Sequence, residues 1–218
     1  MEKLNGKKKL IVSVFISGRG TNLKSLINFS KKKNSPIKIV LVVCNNNNAK
    51  GINYAKKNKI KFLIINYKNK KKAENKILKN LKKNKINLIC LAGFMKILSK
   101  QIINVYKNRI LNIHPSLLPK YKGLNTHKRV IKNKEKFTGC TVHLLNSKLD
   151  SGKIILQKKI KVLKKDDENS LSKRVLKIEN LIYPKAIKKF IASNLWKKNR
   201  FQFLHFLGYL SHEQSFYL

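Results

Sequence analysis

Three polar residues of the chain could carry out acyl-transfer chemistry: Asn112, His114 and Asp150. Asn112 and His114 end an apolar segment that is predicted to be a strand, and the alternation of a strand places them on one face. In an open α/β sheet, ligands bind beyond the carboxyl ends of the strands. An amide and an imidazole that face one carbonyl group there could stabilise the oxyanion of a tetrahedral intermediate.

Asp150 is the acid expected to support that imidazole. It lies in the turn Leu149-Asp150-Ser151-Gly152 between two predicted strands, in a chain with only 9 acidic residues. A carboxylate near His114 would favour the cationic imidazole, which is the better oxyanion donor. Taken alone, however, these residues are better explained as a strand-capping Asn, a satisfied core His and an ordinary Asp turn, because a catalytic interpretation needs geometry that these residues alone do not supply.

A glycine turn supplies a second candidate site, for a phosphate group. The segment Ser17-Gly18-Arg19-Gly20-Thr21-Asn22 falls between a predicted strand and a predicted helix. Backbone N–H groups and a helix N-terminus favour an anion there, and Thr21 and Asn22 add side-chain donors. A β–α turn without a ligand is an equal alternative for this motif alone. A dinucleotide is not expected, because Leu23 replaces the third glycine and residues 38–45 contain no acid for a ribose hydroxyl.

Other kinds of site are not expected. The histidines His114, His127 and His143 lack the spacing of helix-borne metal ligands, and no Cys-x-x-Cys pair occurs, so no metal is predicted. The chain also has no Gly-x-Ser-x-Gly nucleophile motif. Its three cysteines are odd in number and far apart, which favours reduced thiols in the cytoplasm over a disulfide framework.

The elements that must position these residues follow an α/β pattern. Short apolar runs alternate with Lys- and Asn-rich helical segments, which predicts a mostly parallel, twisted sheet with helices on both faces in a single domain. Strands are predicted at residues 10–16, 37–43, 62–65, 88–92, 109–113, 138–145 and 154–162, the last one antiparallel or at an edge. Helices are predicted at 22–31, 50–58, 71–83, 126–133 and 166–193, with Pro184 at a kink or break.

The N-terminus resembles a signal peptide in its basic-then-apolar order. The apolar run continues into Gly-Arg-Gly-Thr-Asn instead of a cleavage site, so it is predicted to be the first core strand. No stretch of about 18 apolar residues predicts a membrane span. The expected location is therefore cytoplasmic.

The net charge of +42, from 51 Lys and Arg against 9 Asp and Glu, has two explanations. It could be the footprint of nucleic-acid binding. Drift toward A/T-rich codons is favoured instead, because the Lys excess accompanies many Asn and Ile. The lysines also lie in scattered runs such as Lys31–Lys33 and Lys70–Lys72, not in one block with interleaved aromatics. Weak, salt-sensitive RNA binding would follow as a side effect.

Together, the motifs resemble those of the phosphoribosylglycinamide formyltransferase family, over residues 10–191. The resemblance is carried, in order, by ISGRGTNL at 16–23, LAGFMKIL at 91–98, LNIHPSLLPKY at 111–121, GL and TH at 123–127, GCTVH at 139–143, LDSG at 149–152 and IYP at 182–184. Several long motifs in one order are a stronger signal than any one of them.

The resemblance implies roles for particular residues. The catalytic residues it implies are Asn112, His114 and Asp150. The residues implied for the phosphate and glycinamide of the ribonucleotide are Gly18, Gly20, Thr21, Asn22 and Glu179. Those implied for the folate are Met95, Lys96, Ile97, Leu98, Asn112 and His143. The formyl donor is then 10-formyltetrahydrofolate as cosubstrate, with no metal.

The resemblance also implies a Rossmann-like formyltransferase catalytic domain at residues 1–193. Its phosphate-binding part would be about 10–100, its folate-binding part about 100–193, and residues 194–218 would form an aromatic-rich tail. The implied activity is formylation of 5-phosphoribosylglycinamide (GAR) in de novo purine (IMP) synthesis. The implied partners are small molecules, with neither specific nucleic acid nor membrane, and the protein would be a monomer or homodimer. Two departures from the family pattern are Asn125, where a second His is usual, and Arg19 in the glycine loop.

Three alternatives remain for the activity. A formyltetrahydrofolate deformylase shares the catalytic residues but normally carries an N-terminal regulatory domain, for which the sequence before Ser17 leaves no room. A methionyl-tRNA formyltransferase would suit the positive charge, but that family carries a further C-terminal domain of about a hundred residues. A non-enzymatic, basic RNA-binding protein is the alternative of a different class.

Overall fold

The computed structural model describes residues 3, 4 and 7–193, and the segment 194–218, predicted to be an aromatic-rich tail, lies outside them. The strands are β1 (Lys3–Leu4), β2 (Lys7–Lys8), β3 (Leu10–Ile16), β4 (Ile37–Cys44), β5 (Lys61–Ile64), β6 (Leu88–Leu91), β7 (Ile110–His114), β8 (Phe137–Leu144) and β9 (Ile154–Lys161). The helices are α1 (Thr21–Ser30), α2 (Ile52–Lys57), α3 (Lys70–Lys83), α4 (Lys100–Val105), α5 (Thr126–Lys132) and α6 (Glu168–Ala192).

One seven-stranded sheet organises this part of the chain, in the order β5-β4-β3-β6-β7-β8-β9. The five strands from β5 to β7 are parallel, whereas β8 pairs antiparallel with β7 and β9 pairs antiparallel with β8. The strands β1 and β2 form a separate antiparallel hairpin. The predicted mostly parallel α/β sheet is therefore confirmed, and so is the antiparallel edge position of the last strand.

Successive residues of a strand point to opposite faces of the sheet. Helices cover both of these faces. Val14 and Ile16 pack in a core cluster with α1, α2, α5 and α6, while Phe15 packs in a second cluster with α3 and α4. Both clusters are built mainly from buried aliphatic side chains, with aromatic ones such as Phe15 and Tyr183 among them. Burial of each such side chain contributes about 1.5–3 kcal/mol.

The longest helix, α6, connects the two halves of the chain. Asp167 caps it through a capping box with Ser170. The helix continues through Pro184 without interruption, so the predicted break is wrong. Its middle is held by two long-range contacts: the Ser25 hydroxyl donates to the Asn180 carbonyl at 2.6 Å, and the Tyr183 hydroxyl lies 2.9 Å and 3.0 Å from the carbonyl oxygens of two sheet residues in β6 and β7.

The short helix α4 was not expected from the sequence. Its six residues bury only Ile102, which is too little for a periodic apolar pattern. Ser99 caps it, and the Ser99 N–H donates to a carboxylate oxygen of the buried Glu74 at 2.9 Å. Along the described ranges, none of the helices has the length and apolar character that crossing a membrane requires.

Candidate active site

Asp150 is the centre of a buried polar cluster. Its Oδ2 accepts a hydrogen bond from the Gly123 N–H at 3.0 Å and lies 3.4 Å from Nδ1 of His114. Its Oδ1 lies 3.4 Å from Nδ2 of Asn112 and 3.6 Å from Nε2 of His143. Only 6% of Asp150 is exposed. The structure therefore brings together the three residues implied as catalytic.

The antiparallel part of the sheet explains this grouping. Asn112 and His114 alternate along β7, and the antiparallel register places His143 of β8 directly opposite Asn112. The chain then turns back into β9, and this turn carries Asp150 in a left-handed conformation, with φ 43°. Gly152 ends this turn. A Cβ atom on Gly152 would lie 1.7 Å from the Leu144 carbonyl oxygen, so only glycine fits.

Hydrogen bonds fix the orientation of His143 and Asn112. His143 Nδ1 lies 2.8 Å from the Leu144 carbonyl, which can only accept, so Nδ1 carries the proton and Nε2 accepts in the neutral ring. Asn112 Nδ2 lies 3.2 Å from that Nε2. Asn112 Nδ2 thus faces two acceptors, His143 Nε2 and Asp150 Oδ1, the latter at 3.4 Å. The side-chain amide has two N–H bonds, and a ligand oxygen that enters the cluster would compete with these acceptors for them.

His114 has an acceptor at each ring nitrogen. Nε2 lies 2.8 Å from the Tyr121 carbonyl oxygen, and Nδ1 faces Asp150. Burial lowers the pKa of His114 below its ordinary value of 6.5. The Tyr121 carbonyl and Asp150 raise the pKa, but by less than burial lowers it. The expected effect of Asp150 is present but desolvation outweighs it, so the ring is not held cationic at neutral pH as the sequence suggested.

Residues 117–125 supply backbone groups that sequence reasoning missed. The Tyr121 carbonyl contacts His114, and the Gly123 N–H contacts Asp150. The Arg129 guanidinium crosses this segment, where Nη1 donates to the carbonyl oxygens of Lys122 at 2.6 Å and of Leu124 at 3.5 Å. Backbone partners leave no trace in residue types, so no sequence signal could have identified them.

The glycine loop leads from β3 into α1. Gly20 is the N-cap of α1 with φ 72°, and no side chain caps the first helical amides. A Cβ atom on Gly20 would lie 2.6 Å from Gly51 Cα, so the loop requires glycine for its close approach as well as for its conformation. The Gly51 N–H donates to the Gly18 carbonyl at 3.0 Å. The free amides at this helix start could bind an anion.

Asn22 and Glu179 form a buried pair across 157 positions of sequence. Asn22 Nδ2 donates to Glu179 Oε2 at 2.7 Å. The side-chain amide expected near a phosphate is thus also a donor to a buried carboxylate. Burial raises the pKa of Glu179 to about 7, although the Asn22 hydrogen bond acts in the opposite direction. A carboxyl group with that pKa can exchange a proton near neutral pH.

The segment implied for folate binding follows β6. Met95, Lys96 and Ile97 are exposed, whereas Leu98 is buried. The Met95 N–H donates to the Ser17 hydroxyl at 2.8 Å, so this segment begins against the first residue of the glycine loop. Because β3, β6 and β7 are neighbouring parallel strands, their carboxyl ends lie on the same side of the sheet. At about 4.8 Å per strand, the glycine loop and the Asp150 cluster lie on the order of 10 Å apart.

This combination of fold and site matches known proteins. Residues 9–187 match the family described as formyl transferase. The chain belongs to that family. The phosphoribosylglycinamide formyltransferase of Haemophilus influenzae is 38% identical over 196 residues, which cover 88% of this chain and 92% of that protein. The chain is thus a member of the phosphoribosylglycinamide formyltransferase family, as the motifs predicted.

Solved structures and longer relatives agree. The crystal structure of phosphoribosylglycinamide formyltransferase from Brucella melitensis has a TM-score of 0.80 and 40% identity, covering 84% of this chain and 96% of that one. The human trifunctional purine biosynthetic protein adenosine-3 is 40% identical over 184 residues. The chain spans 18% of the length of that human protein.

Proposed function

We propose that the protein transfers the formyl group of 10-formyltetrahydrofolate to the amino group of GAR, giving formyl-GAR and tetrahydrofolate, in purine biosynthesis. The observation that carries this proposal is the Asp150 carboxylate, which contacts Gly123 and faces Asn112, His114 and His143 at the end of β7. Amide, imidazole and carboxylate groups are what an acyl transfer between an amine and a formamide-type donor needs. The near full-length similarity to the Haemophilus influenzae enzyme supports the same substrates.

The first step is attack of the neutral GAR amine on the formyl carbon. A C–N bond forms, and the carbonyl oxygen becomes an oxyanion. The Asn112 side-chain amide donates to this oxygen in place of one of its two protein acceptors, and so stabilises it. Removal of one such donor typically costs on the order of 10²–10³ in rate.

The second step transfers a proton while the tetrahedral intermediate collapses. The amine must lose a proton, and N10 of the folate must gain one as its bond to carbon breaks. His114 has a lowered pKa and is a base at neutral pH. Its Nε2 donates a hydrogen bond to the Tyr121 carbonyl, so the proton is accepted at Nδ1, which lies 3.4 Å from Asp150. The charged imidazolium then has acceptors at both nitrogens, Asp150 and the Tyr121 carbonyl. A water relays the proton to N10.

Substrate binding divides between the two parts of the chain. In the part about 10–100, the phosphate of GAR binds the free amides after Gly18 and Gly20 and the Thr21 side chain. Glu179, which reaches this part from α6, receives the glycinamide end together with Asn22. In the part about 100–193, the folate binds along the Asp150 turn and His143. The exposed stretch Met95 to Ile97 and the backbone at Leu98 complete the folate side.

Measurement of tetrahydrofolate formation with and without GAR tests the proposal. Product that appears only with GAR is expected. Product without GAR would identify a deformylase, and product only with methionyl-tRNA would identify a tRNA formyltransferase. No product under any of these conditions, together with tight and strongly salt-dependent RNA binding, would favour the RNA-binding alternative.

A further inference from the structure

Ser17 joins three neighbouring strand ends through one hydroxyl group. It directly follows β3, and its hydroxyl donates to the side-chain oxygen of Asn45, which directly follows β4. The same oxygen accepts the N–H of Met95, beyond the end of β6, at 2.8 Å. A serine hydroxyl can donate and accept at once, and here both capacities are used between protein groups.

The groups on each side of this bridge belong to different substrate sites. Ser17 begins the glycine loop, and its carbonyl is held by the Asn46 side-chain amide at 3.2 Å. Met95 begins the exposed stretch assigned above to the folate. The far end of that stretch is fixed by Glu74, which accepts the Ser99 N–H at 2.9 Å. The stretch is therefore held at both ends, by Ser17 and by Glu74. Of these two residues, Ser17 also belongs to the glycine loop.

The bridge is one of several connections between these strand ends. Met95 is 65% exposed, so its N–H could bind water if the hydroxyl were absent. The strand ends are also joined independently by the sheet, for example through the Ala92 N–H and the Phe15 carbonyl at 2.8 Å. What the hydroxyl adds is a fixed position of the folate-side stretch relative to the phosphate loop.

We propose that Ser17 is a positioning residue that couples the two substrate sites, an inference that rests on the function proposed above. A phosphate that binds the glycine loop further restricts the motion of Ser17, and through it that of the stretch that begins at Met95. The second ligand then meets a segment that is already ordered, so its ordering cost is smaller. Coupling of this kind is reciprocal, so folate must strengthen ribonucleotide binding by the same factor.

The test is calorimetric titration of tetrahydrofolate into the protein, with and without saturating GAR. Tetrahydrofolate carries no formyl group, so the complex with GAR does not react. In the wild type, GAR is expected to lower the Kd for tetrahydrofolate about fivefold or more, within the usual range of coupling between sites. In Ser17→Ala the two Kd values should differ by less than about twofold.

Two control variants separate coupling from local loosening. Ser17→Thr keeps a hydroxyl and should keep the wild-type ratio. Ser99→Ala removes a hydroxyl at the other end of the same stretch, away from the glycine loop, and should keep the ratio even if folate binding weakens. If Ser17→Ala does not fold, Asn45→Ala, which removes the acceptor that orients the hydroxyl, should lower the ratio.

A wild-type ratio of one, or an unchanged ratio in Ser17→Ala, would overturn the coupling proposal. Neither result would contradict the proposed activity, because that activity is measured separately as GAR-dependent tetrahydrofolate formation by the wild type. Absence of that turnover would instead remove the proposed function.

Discussion

The parallel and antiparallel halves of the sheet build their sites from different materials. On the parallel side, the candidate phosphate site consists of main-chain amides at a helix start, shaped by Gly20 and its contact with Gly51. On the antiparallel side, the site is built mainly from side chains such as Asn112, His143 and Asp150, which strand register and a tight turn bring together. A main-chain site depends on backbone shape, whereas a side-chain site depends on the identity of each residue.

The difference explains how this chain can carry an extreme composition. The chain carries a net charge of +42, while the buried polar residues of the antiparallel side hydrogen-bond to one another and the glycines of the parallel side keep their close contacts. Surface lysines change neither a backbone turn nor a buried hydrogen bond. The comparison therefore predicts that substitutions affect function according to which kind of site they touch.

Asp150→Asn tests the side-chain site with the largest expected effect. Asn tolerates the left-handed conformation at this position but lacks the charge that stabilises a protonated His114. We expect kcat to fall on the order of 10²–10³ with little change in the thermal unfolding midpoint. Turnover within tenfold of the wild type would contradict the role of the carboxylate.

Gly20→Ala tests the backbone site. A left-handed conformation costs an alanine about 1–2 kcal/mol, and its Cβ would lie 2.6 Å from Gly51 Cα. We expect the KM for GAR to rise on the order of tenfold, with a smaller effect on the KM for the folate. Gly18→Ala is the matched variant, because a Cβ there meets nothing within 4 Å, and its effect should be smaller. Equal effects of the two variants would argue against a shape-dependent site.

Glu179 links the two halves, and its titration gives a stability effect. Its pKa of about 7 in the folded protein lies above the ordinary 4.5 because of burial. Its contribution to stability is therefore complete below about pH 4.5 and is lost as pH rises through about 7. Relative to Glu179→Gln, the wild-type unfolding midpoint should fall by about 5–10 °C between pH 5 and pH 8.

Glu168→Gln, at an exposed acid in the same helix, is the control and should follow the wild-type pH profile. Parallel profiles for the wild type and Glu179→Gln would show that the buried carboxyl does not titrate in this range.

Lys71→Glu combined with Lys72→Glu should have the smallest effect. The first turn of α3 contains no acidic residue, and an acid near a helix N-terminus stabilises by about 0.3–1 kcal/mol. We expect a slightly higher unfolding midpoint and kcat/KM values within about twofold of the wild type. A tenfold loss of activity would mean that this lysine cluster serves the reaction and is not compositional drift.

The fold was predictable where local pattern decides. The seven strands of the main sheet and the helices α1, α2, α3, α5 and α6 lie within a few residues of their predicted positions, because buried strands and amphipathic helices have distinct periodicities. The exceptions are local. Helix α4 is too short to show a period, and α6 continues through Pro184 because its apolar face, including Tyr183 and Ile187, remains packed on the sheet.

The site was only partly predictable. Alternation along β7 indicated that Asn112 and His114 share a face, and their common contact with Asp150 agrees with that inference. The position of His143 opposite Asn112 depends on an antiparallel register that residue types do not specify. The balance that lowers the pKa of His114 depends on burial, which appears only once the chain has folded.

The hydrogen bond between Asn22 and Glu179 can form only late in the synthesis of the chain. Their hydrogen bond joins the second residue of the first core helix to the middle of the last one, 157 positions later. A ribosome must therefore synthesise nearly all of the described chain before Asn22 has its partner. Until then the early strands can pair, but the amide remains without the carboxyl group that it binds in the finished protein, so an N-terminal fragment that ends before α6 is expected to fold incompletely and to be inactive.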